Sequence, residues 1–329
     1  MLKRLLYMIE SKGGLSQKVM CVSHMKDVDG CVCAALIKRA TQSRVLLTNY
    51  GNMNNCLSVI EDNYDVVYIC DLGLNETSLG ELERIGRFAE LIYVDHHYLN
   101  TDLLKTIRGM GVKLVHDLRD CASALTFNLF KDVLPREATL LPSYAAVSDR
   151  LEGGPIAQKI IQKLDRDFVL FETMLLSYAT EIADIHFKKQ IINHLSKLEY
   201  PHQIEGVSTL ALHQADQIAV LRDELPSRAS KLGNIVYVEA KDNSLGIVAN
   251  LLLDVCDADI GICYDTNSEK HISDVSLRGK ADIKLNLGII TSQMAKRFGG
   301  FGGGHPRASG ARIPTPNLVD FIRAINDQQ

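Results

Sequence analysis

Three short apolar runs near the start of the chain each end on acids or imidazoles, and the stretch after each has room for one helix. Lys18-Val19-Met20-Cys21-Val22-Ser23 leads into His24-Met25-Lys26-Asp27-Val28-Asp29-Gly30. Asp65-Val66-Val67-Tyr68-Ile69-Cys70 leads into Asp71, and Leu91-Ile92-Tyr93-Val94 leads into Asp95-His96-His97. Helical spacing of apolar residues covers the intervals Cys31 to Ala40, Met53 to Glu61 and Glu76 to Phe88. Strand, helix, strand at this pitch implies right-handed crossovers and a mainly parallel sheet. In such a sheet the C-terminal strand ends share one edge, and ligands bind in the crevice there. Asp27, Asp29, Asp71, Asp95, His96 and His97 are therefore expected to converge although they are scattered along the chain. Asp149, after the helix-compatible Ala145-Ala146-Val147-Ser148, can close the set.

Carboxylates and imidazoles are oxygen and nitrogen donors suited to divalent ions such as Mn²⁺, Mg²⁺ or Zn²⁺. Adjacent residues point in different directions, so within Asp95-His96-His97 one or two would coordinate while another supports them. A single strand-end Asp would read as a solvated surface residue, but acids at successive strand ends are hard to assign to coincidence. So many carboxylates repel one another unless cations neutralise them. One metal cannot use six or seven ligands and keep a position open for substrate. Two ions roughly 3.5–4 Å apart satisfy both conditions and suit in-line displacement at phosphorus, with a bridging solvent as nucleophile.

From Ile156 to Leu198 apolar residues again recur at helical spacing, which predicts a helical connector after the sheet. Pro201 stops it, and His202-Gln203-Ile204-Glu205-Gly206 reads as a hinge. Beyond it, Val207 to His213, Asn234 to Glu239, Ile260 to Tyr264 and Ser273 to Leu277 read as strands, with helices near Leu245 to Cys256 and Leu285 to Arg297. The expected architecture is α/β: a mainly parallel-sheet N-terminal domain with its helical connector over residues 1–200, and a smaller α/β domain over residues 201–329. The second domain's chemistry lies in Phe298-Gly299-Gly300-Phe301-Gly302-Gly303-Gly304-His305-Pro306, five glycines in six positions. Consecutive N–H groups in such a run can form an anion-binding nest, with phosphate the obvious anion. A loop or helix end after Lys296-Arg297 is the alternative. No Gly-Lys-Ser/Thr comes after it, so the run is not a Walker loop.

Asp27-x-Asp29-Gly30, Asp71 after its apolar run, Asp95-His96-His97 and Asp149 resemble the four motifs of the DHH phosphoesterases. Gly302-Gly303-Gly304-His305 resembles the Gly-Gly-Gly-His signature of the DHH-associated substrate-binding domain. The resemblance spans nearly the whole chain. It implies a Mn²⁺ pair, with Mg²⁺ or Co²⁺ as substitutes, held in the first domain by His24, Asp27, Asp29, Asp71, Asp95, His96 and Asp149. Asp71 is then best placed to bridge, and His97 supports His96 or steadies charge on phosphorus. The second domain would bind nucleotide through Arg278, Gly303, Gly304 and His305. One departure stands out: the small-nucleotide branch usually has a His four residues before the first Asp, whereas His24 stands three before Asp27.

The chain has 329 residues, enough for two cores, with 46% hydrophobic and 23% charged residues, the balance of a soluble globular protein. No apolar run approaches the about 18 residues that span a bilayer. Met1 to Glu10 reads as an amphipathic starting helix rather than a signal peptide. Eight cysteines without Cys-x-x-Cys spacing, several within apolar segments, favour reduced thiols and a cytoplasmic setting over a disulfide framework. A formal net charge of −4 and the absence of Trp argue against a long basic, aromatic track for single-stranded nucleic acid. The expected activity is hydrolysis of very short nucleotides, such as pGpG-like dinucleotides or nucleoside 3′,5′-bisphosphate, to mononucleotides, with no membrane partner. If the metals form one wall and the glycine run the other, a gap of fixed depth would favour dinucleotides. A RecJ-type single-strand exonuclease and a non-catalytic nucleotide-sensing module are the alternatives, and a homodimer is left open.

Overall fold

A computed structural model describes residues 17–240 and 244–328. The amphipathic helix expected over Met1 to Glu10 lies outside the described residues. The chain divides into two compact units, one ending at Gln214 and one beginning at Ala215.

In the first unit β1 (Val19–His24), β2 (Arg44–Thr48), β3 (Val66–Cys70), β4 (Glu90–Asp95) and β5 (Lys113–His116) alternate with α1 (Val28–Thr41), α2 (Met53–Ser58), α3 (Leu79–Gly86) and α4 (Thr101–Gly109). The sheet has the order β2-β1-β3-β4-β5, and every pair is parallel. Successive side chains leave opposite faces of a strand. Val19, Cys21, Tyr68, Cys70, Ile92 and Val94 accordingly enter one core, while Met20, Val22, Val67, Ile69, Leu91 and Tyr93 enter the other. Burial on both faces explains why these strands read as unbroken apolar runs.

The chain reverses direction across the sheet between β1 and β3, the switch point where a crevice opens in such folds. Ser23 pairs with Cys70, and Cys70 with Val94, so His24, Asp71 and Asp95 begin level with one another at that edge. The helical connector appears as α5 (Ala122–Leu129), α6 (Leu140–Ser148), α7 (Ala157–Ile161), α8 (Arg166–Ile182) and α9 (Ile185–Ser196).

One local expectation is corrected. Val207 to His213 is not a strand but the start of α10 (Val207–Arg228), within which the division between the units falls. Its buried positions Val207, Ala211, Gln214, Leu221 and Leu225 keep the helical period, which the first seven residues alone do not display. The presumed hinge is held down: buried Glu172 accepts hydrogen bonds from the His202 backbone N–H at 3.0 Å and from His202 Nδ1.

The second unit holds β6 (Ser230–Leu232), β7 (Ile235–Glu239), α11 (Leu245–Val255), β8 (Ile260–Asn267), β9 (Ile272–Gly279), α12 (Leu287–Arg297), β10 (Phe301–His305), β11 (Ala308–Pro314) and α13 (Leu318–Asn326). Its mixed sheet runs β10-β11-β9-β8-β7-β6, with only β7 and β8 parallel. The glycine run is therefore divided: Gly299, at φ 78°, and Gly300 close the turn at the end of α12, and Gly302 to Gly304 lie in strand β10. Its glycines serve close approach: a Cβ at Gly288 on α12 would collide with the Gly304 carbonyl. Gly304 itself has φ of 141°, which an L side chain rarely adopts. All eight cysteines carry free thiols, and no described helix is long and apolar enough to cross a membrane.

Gly30, in the first turn of α1, fits under the end of β1, where a Cβ would strike the His24 carbonyl. Its own carbonyl accepts from Ser23 Oγ at 2.7 Å. Gly30→Ala should lower the stability of the metal-free protein by about 1–3 kcal/mol in urea unfolding, the usual cost of overpacking. An unchanged midpoint would show that the junction is loose.

Candidate metal centre

Asp27 ends the β1–α1 connection as the N-cap of α1, its Oδ1 accepting from Gly30 N at 3.0 Å. Its Oδ2 meets His24 Nδ1 at 2.6 Å. Asp29, one residue inside α1, is fully buried. Its two oxygens accept from the backbone N–H groups of Ala122 (2.7 Å) and Ser123 (2.8 Å), so the N-terminus of α5 holds it in place.

Asp71 comes directly after β3 in the left-handed region, at φ 55°, with its N–H donating to the Val94 carbonyl at 3.0 Å. That conformation is uncommon outside glycine and turns the carboxylate back over the strand end. Its Oδ1 lies 3.3 Å from His96 Nε2 and its Oδ2 lies 3.5 Å from His24 Nδ1. It touches both halves of the cluster.

His96 Nε2 is the centre of the second half. It stands 3.3 Å from Asp71 Oδ1, 3.6 Å from Asp29 Oδ2 and 3.8 Å from Asp149 Oδ2, Asp149 being the C-cap of α6. These separations exceed an ordinary N–H···O bond. Ligands about 2.0–2.2 Å from one ion lie about 3–3.5 Å apart; the Asp71 separation falls in that range, and those of Asp29 and Asp149 are a few tenths of an ångström longer. Two sets of donors are thereby within reach of a common ion: His24, Asp27 and Asp71, and then Asp29, His96 and Asp149. Buried Asp71 Oδ2 has no hydrogen-bond partner among the described residues, as expected of an atom shaped to meet a cation. The donor chemistry and spacing fit a pair of hard divalent ions.

Asp95 is also within ligand reach of Asp71, His96 and His97. Both of its oxygens are engaged, however: Oδ1 accepts from His97 Nδ1 at 2.8 Å and Oδ2 accepts from the Tyr93 hydroxyl. His97 Nε2 pairs with the Tyr50 hydroxyl at 2.9 Å, and the His97 carbonyl accepts from His116 Nε2 at 2.7 Å. Sequence reasoning does not single out Tyr50, Tyr93 or His116. Tyr50 offers a weak signal, since it lies just past β2 at the edge where the acids collect.

In the second unit, Arg278 on β9 and His305 on β10 both pair with Ala308 on β11. Directly paired residues share a face, so the guanidinium and imidazole stand on one side of the sheet, two strands apart, about 10 Å. Arg278 Nη1 donates to Ser276 Oγ at 2.9 Å and to the Leu277 carbonyl at 3.0 Å. Gly303 and Gly304 lie in β10 opposite Gly310 and Ser309.

Residues 232–329 match the family model of the DHHA1 domain. A stretch of 111 residues is 38% identical to an uncharacterized protein of Methanocaldococcus jannaschii, covering 32% of this chain and only 24% of that protein. Among solved structures, the DHH domain of a protein assigned to a family of ribosomal proteins superposes with a TM-score of 0.72 at 12% identity, over 99% of this chain and 88% of the other. Exonuclease RecJ bound to manganese gives 0.64 at 13% identity, over 98% and 93%. The pGpG-specific phosphodiesterase PggH from Vibrio cholerae gives 0.54 at 14%, over 95% and 98%. The second unit thus carries a DHHA1 domain, and the α/β fold is that of the DHH structures. Arg278, Gly303, Gly304 and His305 all fall inside the DHHA1 match.

Crowded carboxylates titrate abnormally. Burial, then the charge of Asp71, raises Asp29 to about 7, and burial with Asp29 pushes Asp149 well above the usual range. Burial opposes charge on His24, but Asp27 and Asp71 outweigh it and raise the imidazole to about 10. Likewise His97 outweighs burial and holds Asp95 below the ordinary carboxylate range.

A raised acid holds its proton in the folded state after the unfolded chain has released it. Its stabilisation is complete below its ordinary value and is lost as pH rises through the folded one. His24, with a raised value, changes in the same direction. Chelated protein should therefore melt at progressively lower temperature from about pH 4 to about pH 10, and Mn²⁺ should bind more tightly with release of protons as pH rises through about 7 and on towards about 10. Calorimetry in two buffers of different ionisation enthalpy measures that release. Metal binding without proton exchange would contradict the assignment.

Proposed function

We propose that the chain is a metal-dependent phosphoesterase that hydrolyses very short nucleotides, linear dinucleotides or nucleoside bisphosphates, to mononucleotides. The observation that carries this reading is the position of Asp71, one oxygen facing His24 and the other facing His96, each at 3.3–3.5 Å. Such a carboxylate is placed to bridge two ions, and the manganese in the similar RecJ structure supports Mn²⁺ as the choice. When bound, a metal pair supplies Lewis acidity at a phosphoryl oxygen and acidifies a water. The remaining work falls to side chains.

His24, Asp27, Asp29, Asp71, His96 and Asp149 hold the cations and cancel mutual repulsion. Asp95 acts through His97 rather than as a ligand. The Asp95–His97–Tyr50 chain fixes the ring and keeps positive charge on it, since Asp95 raises the His97 value against the opposing effect of burial. That imidazolium can then steady charge developing on phosphorus. Arg278 and His305, on one face of the second sheet, suit a nucleotide phosphate, with Arg able to bind it bidentately.

Short substrates are favoured by the net charge of −4 and the absence of Trp. The RecJ likeness keeps a single-strand exonuclease as the second reading. A panel of pNpN dinucleotides, bisphosphates and longer oligomers with Mn²⁺ separates them. Activity should fall steeply beyond a few nucleotides and respond only modestly to salt. Efficient digestion of long strands with a steep salt dependence would favour the exonuclease.

Two variants test the roles. Asp71→Asn keeps a residue type that tolerates the left-handed backbone, so it should fold, melt no lower than wild type without metal, and lose both ion binding and turnover. Asp95→Asn should retain Mn²⁺ yet lose roughly 10–100-fold in kcat/KM, the usual cost of removing an orienting partner. Near-native turnover in Asp71→Asn would overturn the two-ion reading.

A further inference from the structure

Lys188 is a cation in a place where cations are rare. It lies on the buried face of α9 with Ile191, Ile192 and Leu195, and the residue is only 4% exposed. Among the described residues its ammonium makes no hydrogen bond and no ion pair.

The neighbouring helix locates its charged end. Near the C-terminal end of α1, Arg39 Nη1 donates to the Ser196 carbonyl at the end of α9, at 3.0 Å. The two helices pack along their length, with C-terminal end against C-terminal end. Eight residues earlier on each, about 12 Å along the axes, stand Cys31 and Lys188. The Lys188 charge is felt at Cys31 and at Asp27, and Lys26 and Glu181 are the other charged groups around it. Helical side chains lean toward the N-terminus. Lys188 therefore leans toward the N-terminal end of α1, where Asp27 and Asp29 stand.

We infer that Lys188 is an anion-binding residue of this site, its ammonium taking a non-bridging oxygen of a substrate phosphate beside the acid cluster. The assignment rests on the phosphoesterase reading for its ligand class, and on position alone for the cation. Burial draws the ammonium below the ordinary lysine value, a cost that a bound phosphate would offset. A residue kept for binding rather than stability should be replaceable by an apolar chain of similar shape without loss of stability.

The test uses the full chain loaded with Mn²⁺, as wild type, Lys188→Met and Lys188→Arg. Four quantities are measured: Mn²⁺ stoichiometry, melting temperature, inorganic phosphate affinity by calorimetry, and KM and kcat on pGpG. The expected result is that Lys188→Met keeps its ions, melts no lower than wild type, binds phosphate at least tenfold more weakly and raises KM more than it lowers kcat. Lys188→Arg should recover most of the phosphate affinity.

Unchanged phosphate affinity in Lys188→Met, or wild-type protein that binds no phosphate, overturns the inference. A large fall in melting temperature in Lys188→Met makes the residue structural and also overturns it. Phosphate binding that depends on Lys188 without turnover of any phosphoester would uphold the inference while the functional reading fails. Turnover indifferent to Lys188 would do the reverse.

Discussion

Mutual repulsion among carboxylates at the C-terminal edge of the first sheet is the constraint around which the unit is organised. Asp27, Asp29, Asp71, Asp95 and Asp149 gather around His24, His96 and His97, with Asp29, Asp71 and Asp95 buried away from water, and an unpaired charge in such surroundings is costly. The fold tolerates the cluster by several means. The α5 N-terminus holds Asp29, Gly30 N–H caps Asp27, and Tyr93 and His97 engage Asp95. Asp29 and Asp149 retain protons more strongly than ordinary acids. The atom these devices leave unsatisfied, Asp71 Oδ2, is one a cation would complete.

The remainder of the unit supports that edge. Doubly buried strands fix the register that sets His24, Asp71 and Asp95 level, and the β1/β3 switch point opens the crevice above them. Asp71 stores backbone strain at the centre, and the Asp95–His97–Tyr50 chain sets the orientation of one imidazole from outside the cluster. In the second unit, pairing through Ala308 brings Arg278 and His305 to one face without any long loop.

Strand ends are legible because doubly buried parallel strands advertise themselves as apolar runs, and the residues just past each run must lie at the same edge. Convergence of Asp27, Asp71 and His96 comes from that rule alone. Single-sequence patterns fail where an element's identity depends on residues further along or on the elements packed against it. Val207 to His213 is short enough to pass for a strand, and the continuation to Leu225 discloses the helical period. The glycines at 302–304 suggest a loop, yet the lack of a side chain at Gly302 and Gly304 serves close packing of β10 against β11. Tyr50 and Lys188 are invisible for a further reason: a Tyr after a strand and a Lys on a helix are commonplace in sequence, and only tertiary neighbours distinguish them.

The central claim is that this edge binds two ions, with Asp71 shared between them. Crystals soaked in Mn²⁺ and measured at the manganese absorption edge test it most directly. Two anomalous peaks are predicted, one among His24, Asp27 and Asp71 and one among Asp29, Asp71, His96 and Asp149. A single peak, or none within reach of Asp71, would contradict the account.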